Sequence, residues 1–378
     1  MKKRYLLLFI ILFIPFRVYA TDYIPNGDSG ILIEANSGKI LFEKEKDKRV
    51  SVASMTKMVA QIIILEEIEK GNISFNDIVT VSRNASSMGG SQIYLETGEK
   101  ISVLDLMKGI SVASGNDATV AMAEYISGSE EKFVEKMNLK VKELGLKNTH
   151  FVNCTGLDDD NHYSSSYDMA MIARELVVNH PKILEFSSIY EDYLRENTSN
   201  KFWLVNTNKL IRFYDGADGL KTGHTDNAGY CLAATAKRNN LRLIGIVLGE
   251  KDSKVRNQET MELLDYGFNS VKVNCLLSKN TKVDTIRSLF LNEEVDAVLK
   301  DDLCVIEDKD YEYHYTYKVE LNKINFPLYK NDIVGKIKVY SNNKFVSEGN
   351  ITILKDIYKM NIFSFIKNNF LNLIYGII

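Results

Sequence analysis

The chain of 378 residues is 45% hydrophobic and 26% charged, with 22 Gly, only 4 Pro and a formal charge of −3. These values exclude a disordered, collagen-like or repeat chain and a disulfide-held mini-protein, and the length suits two domains or one large domain with an appendage. Lys2, Lys3, Arg4 and Arg17 all precede residue 21, so the remainder is more acidic still. Nucleic acid is excluded as the main partner, because phosphate neutralisation needs a clustered basic excess.

Lys2, Lys3 and Arg4 precede an apolar run from Tyr5 to Phe16, and Val18-Tyr-Ala20 ends in a small residue. This is the pattern of a cleaved signal peptide over 1–20, too short in its apolar part to span a bilayer, and it predicts export. Next, Gly30-Ile-Leu-Ile-Glu-Ala and Lys39-Ile-Leu-Phe-Glu flank Asn36-Ser-Gly38 and predict a β-hairpin with Gly38 in the left-handed position. From Ser54 to Ile68, Met55, Met58, Val59, Ile62 and Leu65 trace a helical stripe that stops before Gly71. Its circumference is mostly apolar, so this helix is expected to be central.

Helical periods continue over 104–110, 117–126, 130–144 and 168–178, with Gly145 and Pro181 as stops. Residues 230–236 and 241–248 predict an antiparallel strand pair joined through Lys237-Arg-Asn-Asn240, followed by a helix from about Arg256 to Val271. Strands thus come from both ends of a helical region. The fold class expected is α/β in the α+β sense, one antiparallel sheet flanked by helices.

Beyond it, 308–319, 336–340 and 350–354 are short and β-rich and predict a small all-β domain. The domain boundaries read from these shifts are 1–20, 21–274, 275–355 and 356–378. The last of these is an amphipathic helix. In it Ile362, Phe363, Ile366, Phe370, Leu371, Leu373, Ile374, Ile377 and Ile378 fall on one arc, with Asn361, Ser364, Asn368, Asn369 and Asn372 opposite. It is too short to cross a bilayer and suited to lie in the headgroup boundary, which places the protein peripherally on the outer face of the cytoplasmic membrane.

Cys154, Cys231, Cys275 and Cys304 show no C-x-x-C spacing, and the five histidines show no metal-binding spacing, so no metal and no cofactor are expected. In a chain with a real core the cysteines read as free buried thiols.

Ser54-Met-Thr-Lys57 puts a serine and a lysine three residues apart on one helix face. A serine hydroxyl is a poor nucleophile until a base takes its proton, and a desolvated lysine is such a base. Ser-x-x-Lys recurs at Ser129/Lys132, Ser341/Lys344 and Ser364/Lys367, so the motif alone decides nothing. What separates Ser54 is the company of Ser114-Gly-Asn116, which alone would read as a capping turn, and of Lys221-Thr-Gly223, just before the strand pair.

Ser-x-x-Lys, Ser-x-Asn and Lys-Thr-Gly in this order resemble the signature of the penicillin-recognising serine enzymes. More closely, the chain resembles the D-alanyl-D-alanine carboxypeptidases, the low-molecular-mass penicillin-binding proteins. Supporting stretches are Ala35-Asn-Ser-Gly-Lys-Ile-Leu, Asn153-Cys-Thr-Gly-Leu-Asp, Asp218-Gly-Leu-Lys-Thr-Gly-His-Thr and Ala228-Gly-Tyr, and the likeness runs from about 25 to 275. The resemblance implies Ser54 as acylated nucleophile, Lys57 as its base and Ser114 as proton relay to the leaving D-alanine. It implies Asn116 on the substrate amide, Lys221 for the electrostatics of the pocket, and Thr222 and Arg256 on the terminal carboxylate. Gly223 would let the substrate backbone lie beside the strand, and the amides of Ser54 and His224 would form the oxyanion hole. The implied partners are peptidoglycan stem peptides ending in D-Ala-D-Ala, β-lactams and, through the tail, a membrane surface.

Two alternatives stand beside this reading. A non-catalytic wall-binding protein is free to lose its nucleophile or base, yet all of these residues are present. A β-lactamase needs a deacylating glutamate, for which Glu191-Asp-Tyr-Leu-Arg195 is the nearest stretch, with Arg195 where Asn is expected. A Walker phosphate loop is excluded because Leu220 separates Gly219 from Lys221, and no G-x-S-x-G elbow is present.

Overall fold

Five antiparallel strands form the main sheet, in the spatial order Ile40–Lys44, Ser29–Glu34, Leu241–Glu250, Gly229–Arg238 and Ala217–Thr225. The computed structural model describes residues 22–359 apart from 289, 290 and 292. The expected signal peptide, 1–20, and the apolar arc of the expected tail helix, 361–378, lie outside the described residues.

The predicted hairpin is present, with Gly38 at φ 71°. Its first strand pairs with Leu241–Glu250 from Ser29↔Leu248 to Glu34↔Leu243, so the two ends of the helical region meet in one sheet. Both faces of the middle strands are covered, and they read accordingly as near-continuous apolar runs. Leu32, Leu243 and Val247 pack with Leu263, Leu264 and Phe268 of the Ser253–Ser270 helix on one face. Ile31, Ile33, Ile244 and Ile246 face the larger helical layer on the other, including Lys57–Glu69 and Ser166–Asn179.

In the Lys57–Glu69 helix every residue from Lys57 to Leu65 is buried, as the apolar circumference predicts. Ser54 is not in its α-helical part. Ala53–Thr56 form a 3-10 turn that runs into the helix, with Ala53 at φ 46°. The expected strand pair extends into a two-residue turn at Asn239-Asn240, with Arg238 facing Leu241 and Asn239 at φ 54°.

A second five-stranded sheet has the order Lys282–Ile286, Val295–Leu299, Lys344–Thr352, Ile333–Ser341 and Tyr315–Leu321, around a core including Ile286, Leu299, Ile337, Val339 and Ile351. Three expectations are corrected in this part. The segment 308–319 is not one strand, because Leu303–Asp308 pairs with Val271–Leu277 and the next strand starts at Tyr315. That ladder sets Cys275 directly opposite Cys304 and joins them in a disulfide, leaving only Cys154 and Cys231 as free buried thiols. Residues 356–359, where the tail helix was expected to begin, carry no helix. Ile357 is buried in the second core and bridges Leu328, which holds the chain extended.

Glu250 and Glu259 are 1% and 4% exposed, and among the described residues no N–H or hydroxyl donates to Glu250, which leaves the Glu259 carboxyl as its partner. Asn26 donates to Glu259 through its backbone N–H and its side-chain amide. Burial first, then the hydrogen bond and charge of Glu259, push Glu250 up to about 8. Two carboxyl groups bond only when one keeps a proton, so the folded state binds a proton that the unfolded state releases above about 4.5. The stabilisation is complete below that value and is lost as pH rises through about 8. The melting temperature is therefore expected to fall between pH 5 and pH 9, and to fall less in Glu250→Gln, as thermal scans across that range would show.

Candidate active site

Lys57 opens the central helix with its side chain wholly buried, and its Nζ lies 2.7 Å from Ser54 Oγ and donates to Thr155 O at 2.6 Å. No carboxylate forms an ion pair with it among the described residues. Burial depresses its pKa to about 7, against weaker raising influences from Cys154 and Asp117. An amine neutral near pH 7 and in contact with a serine hydroxyl can take the hydroxyl proton.

Ser114 stands between the helices Val103–Val112 and Asn116–Ser127 at φ 63°, with its Oγ buried and without a partner among the described residues. Asn116 Nδ2 donates to Gly89 O at 2.7 Å and its Oδ1 is likewise unpartnered. Neither side chain caps the helix, whose N-cap is Gly115, so the capping reading of this motif fails. Both oxygens keep unused hydrogen-bonding capacity among the described residues.

Lys221-Thr-Gly223 stands ahead of the strand pair, as expected, and is itself part of a strand, Ala217–Thr225, at the edge of the sheet. A Cβ on Gly223 would stand 2.6 Å from Val52 O and 3.3 Å from Ser54 N. The serine turn therefore fills the space that a side chain at this position would need, and only glycine allows that approach. Lys221 is buried and donates to Thr222 O at 2.9 Å; burial first, then Lys57 and Arg256, hold its pKa well below the usual lysine range. Thr222 donates to Thr207 Oγ1 at 2.7 Å, and the His224 ring stacks on Tyr230 at 4.0 Å.

Arg256 falls in the first turn of the Ser253–Ser270 helix, whose Asp252 cap accepts from Lys254 N and Val255 N. It is only 5% exposed, which excludes a surface arginine. Its guanidinium donates to Asn257 Oδ1 and to Cys231 O, with no ion-paired carboxylate among the described residues. A cleft of ≈ 500 Å³ is lined by Ser54, Ser114, Thr222, Gly223, His224 and Arg256 together with other residues. Lys57 and Lys221 are buried against this wall, and Asn116 flanks it beside Ser91.

The profile of the D-alanyl-D-alanine carboxypeptidase family matches residues 21–252. The chain belongs to that family. This carboxypeptidase is 44% identical to D-alanyl-D-alanine carboxypeptidase DacF of Bacillus subtilis, covering 90% of this chain and 88% of the relative. A second profile, the C-terminal domain of penicillin-binding protein 5, matches residues 272–359. Penicillin binding protein 5 from Haemophilus influenzae shares the fold at a TM-score of 0.73 and 32% identity, over 90% of this chain and 100% of that one. Penicillin-binding protein D2 from Listeria monocytogenes in its ampicillin-bound form is similar at a TM-score of 0.58 and 30% identity, over 64% of this chain and 98% of that one.

The carboxypeptidase cleft also contains residues that the motifs do not mark. Ser91, Thr207 and Lys209 line it, from loops with no signature of their own. Thr155 contributes only a backbone carbonyl, to which residue type is no guide. Glu191 is exposed and does not line the cleft, and Arg195 instead pairs with Glu99 through two nitrogens. The β-lactamase alternative thus has no support from that stretch.

Proposed function

We propose that the protein removes the terminal D-alanine from peptidoglycan stem peptides ending in D-Ala-D-Ala, through an acyl-enzyme on Ser54. The observation that carries this is the contact of Ser54 Oγ with a buried lysine depressed to about 7. It sits in a cleft whose buried Arg256 has no ion-paired carboxylate of its own among the described residues. A buried cation without an internal counter-ion calls for an anionic ligand, and a peptide C-terminus is one.

Ser54 Oγ attacks the carbonyl carbon of the penultimate D-alanine while its proton passes to Lys57 Nζ. The oxyanion is held by the N–H groups of Ser54 and His224, each such donor being worth about 3 kcal/mol in the transition state. The proton now on Lys57 Nζ is relayed through Ser114 Oγ to the leaving nitrogen, the C–N bond breaks, D-alanine departs and Lys57 is neutral again. Water then attacks the ester while neutral Lys57 takes its proton, and that proton returns to Ser54 Oγ as the shortened peptide leaves. Asn116 holds the substrate amide, Lys221 supplies positive potential, and Thr222 and Arg256 bind the terminal carboxylate. Gly223 keeps the edge strand close to Ser54, and that edge is open to an extended peptide.

Incubating the mature chain with a muropeptide ending in D-Ala-D-Ala is expected to release one D-alanine per peptide. Failure to release it under conditions where penicillin acylates Ser54 would remove the carboxypeptidase reading. β-Lactams enter the same pathway. The nitrogen expelled from a β-lactam ring stays tethered to the acyl group and obstructs the water that Lys57 would activate. No Asp or Glu is among the described residues lining the cleft to act in place of Lys57, so a penicilloyl group is expected to persist on Ser54.

The export and anchoring of the mature chain rest on sequence. The basic and apolar leader supports cleavage after Ala20, and the amphipathic arc of 361–378, with Lys355, Lys359 and Lys367 near it, supports peripheral binding to anionic lipid. Among the described residues no helix is long and apolar enough to cross a membrane. A chain ending at Leu354 is expected to keep its activity on soluble peptide and to stop sedimenting with anionic liposomes. Undiminished sedimentation would show that the tail is not the anchor.

A further inference from the structure

Lys57 Nζ has a second fixed partner besides Ser54, the carbonyl of Thr155, and the loop that presents this carbonyl is organised by one side chain. Asn153 Oδ1 accepts from the N–H groups of Thr155, Gly156 and Leu157 at 3.1, 2.7 and 3.2 Å and from the Thr155 hydroxyl at 3.2 Å. Asn153 Nδ2 donates to Leu157 O at 2.9 Å and closes the loop. The loop is pressed on the serine turn. Gly156 has φ 88°, and a Cβ there would stand 1.9 Å from Ala53 O and 2.9 Å from Ser54 N.

Two further ties moor the loop. Glu130 accepts from the N–H of Cys154 at 3.1 Å and from its thiol at 3.3 Å. His162 accepts from Val152 N at Nδ1, which leaves Nε2 to donate to Thr56 Oγ1 at 2.7 Å, between Ser54 and Lys57 in sequence. The ring is buried, and that burial holds it neutral.

A neutral amine has two hydrogens and one lone pair. If Thr155 O accepts one hydrogen, rotation about the terminal bond of Lys57 is stopped and the lone pair can be held toward the Ser54 hydroxyl. We propose that Asn153 is a positioning residue for the Ser54-to-Lys57 proton transfer, acting by folding the Asn153–Leu157 loop so that the Thr155 carbonyl orients Lys57 Nζ. The inference rests on the acyl-enzyme reading above and adds to it a residue that touches neither the substrate nor Ser54.

The test is the rate of acylation by benzylpenicillin, measured by stopped flow over a range of drug concentrations and from pH 5 to 10. In Asn153→Ala the rate constant at saturating drug is expected to fall at least about tenfold, the size of a lost orientation effect, while the dissociation constant of the non-covalent complex stays within about twofold. Asn153→Asp keeps the oxygen that accepts from the three N–H groups and is expected to recover most of the rate at high pH. Its added negative charge near Lys57 favours the ammonium form, so the acid limb of its pH profile moves to higher pH. A merely structural role for Asn153 would lower the melting temperature and leave the rate constant at saturating drug near the parent value. Acylation of Asn153→Ala within twofold of the parent rate, or a loss confined to the dissociation constant, would overturn the inference. If Asn153→Ala does not fold, an unshifted acid limb in Asn153→Asp overturns it. Absence of acylation in the parent protein would instead sink the acyl-enzyme reading itself.

Discussion

Lys57→Ala is expected to lower the rate of acylation by penicillin by about 10³-fold, within the 10²–10⁴ that a positioned base supplies, while leaving Ser54 in place. In the parent protein Lys57 is wholly buried and depressed to about 7, and it works as a base only when neutral. The sign of the pH dependence follows. Below about 7 the amine is increasingly protonated and acylation should fall tenfold per pH unit; above it the rate should level off. In Lys57→Ala this limb should vanish together with the rate. Lys132→Ala and Lys344→Ala are the controls. Ser129 spends its hydroxyl capping its helix through Lys132 N, and Lys344 pairs with Ser341 across a β-hairpin, so neither lysine meets a serine hydroxyl in a cleft. Both variants should acylate at the parent rate.

The second large effect is expected at Arg256. Arg256→Met should raise KM for a peptide ending in D-Ala-D-Ala by about 10²-fold, since truncating one member of a buried charged pair costs 2–5 kcal/mol or more. The same variant should melt at a higher temperature than the parent. A cation 5% exposed, with no ion-paired carboxylate among the described residues, is costly until a ligand neutralises it, and an apolar side chain of similar length removes that cost. The substrate carrying a C-terminal amide separates the two roles. It should be poor with the parent and equally poor with the variant, because the partner of the guanidinium is missing in both cases. An equal loss on acid and amide would mean that Arg256 acts through packing alone.

Much of this site was legible because its chemistry is written in short local motifs. Ser54 and Lys57 meet because three residues of a helical turn separate them, and the Ser114 and Asn116 oxygens are left without a partner among the described residues where one helix ends at Val112 and the next begins at Asn116. Other parts depend on partners distant in the chain. The Ala217–Thr225 segment has two glycines and polar residues among few apolar ones, a weak strand pattern, and becomes a strand by pairing Lys221 with Ala233 and Gly223 with Cys231. Arg256 was placed at the start of its helix, but its burial follows from the Asp252 cap and the packing of that helix over the sheet. The Cys275–Cys304 bridge spans 29 residues and is set by a ladder that no spacing announces. Asn153 was visible only as part of a familiar stretch. Its effect on Lys57 runs through a backbone carbonyl, which leaves no mark in a residue pattern.

The most direct test of the central claim is to acylate the mature protein with benzylpenicillin, digest it and locate the adduct by mass spectrometry. Opening of the β-lactam ring expels no atoms, so the modified peptide should carry the full mass of the drug. The account predicts one adduct per chain, on Ser54 within Val52-Ala-Ser-Met-Thr-Lys57, and none in Ser54→Ala. An adduct on Ser51, Ser114 or any other serine would contradict it.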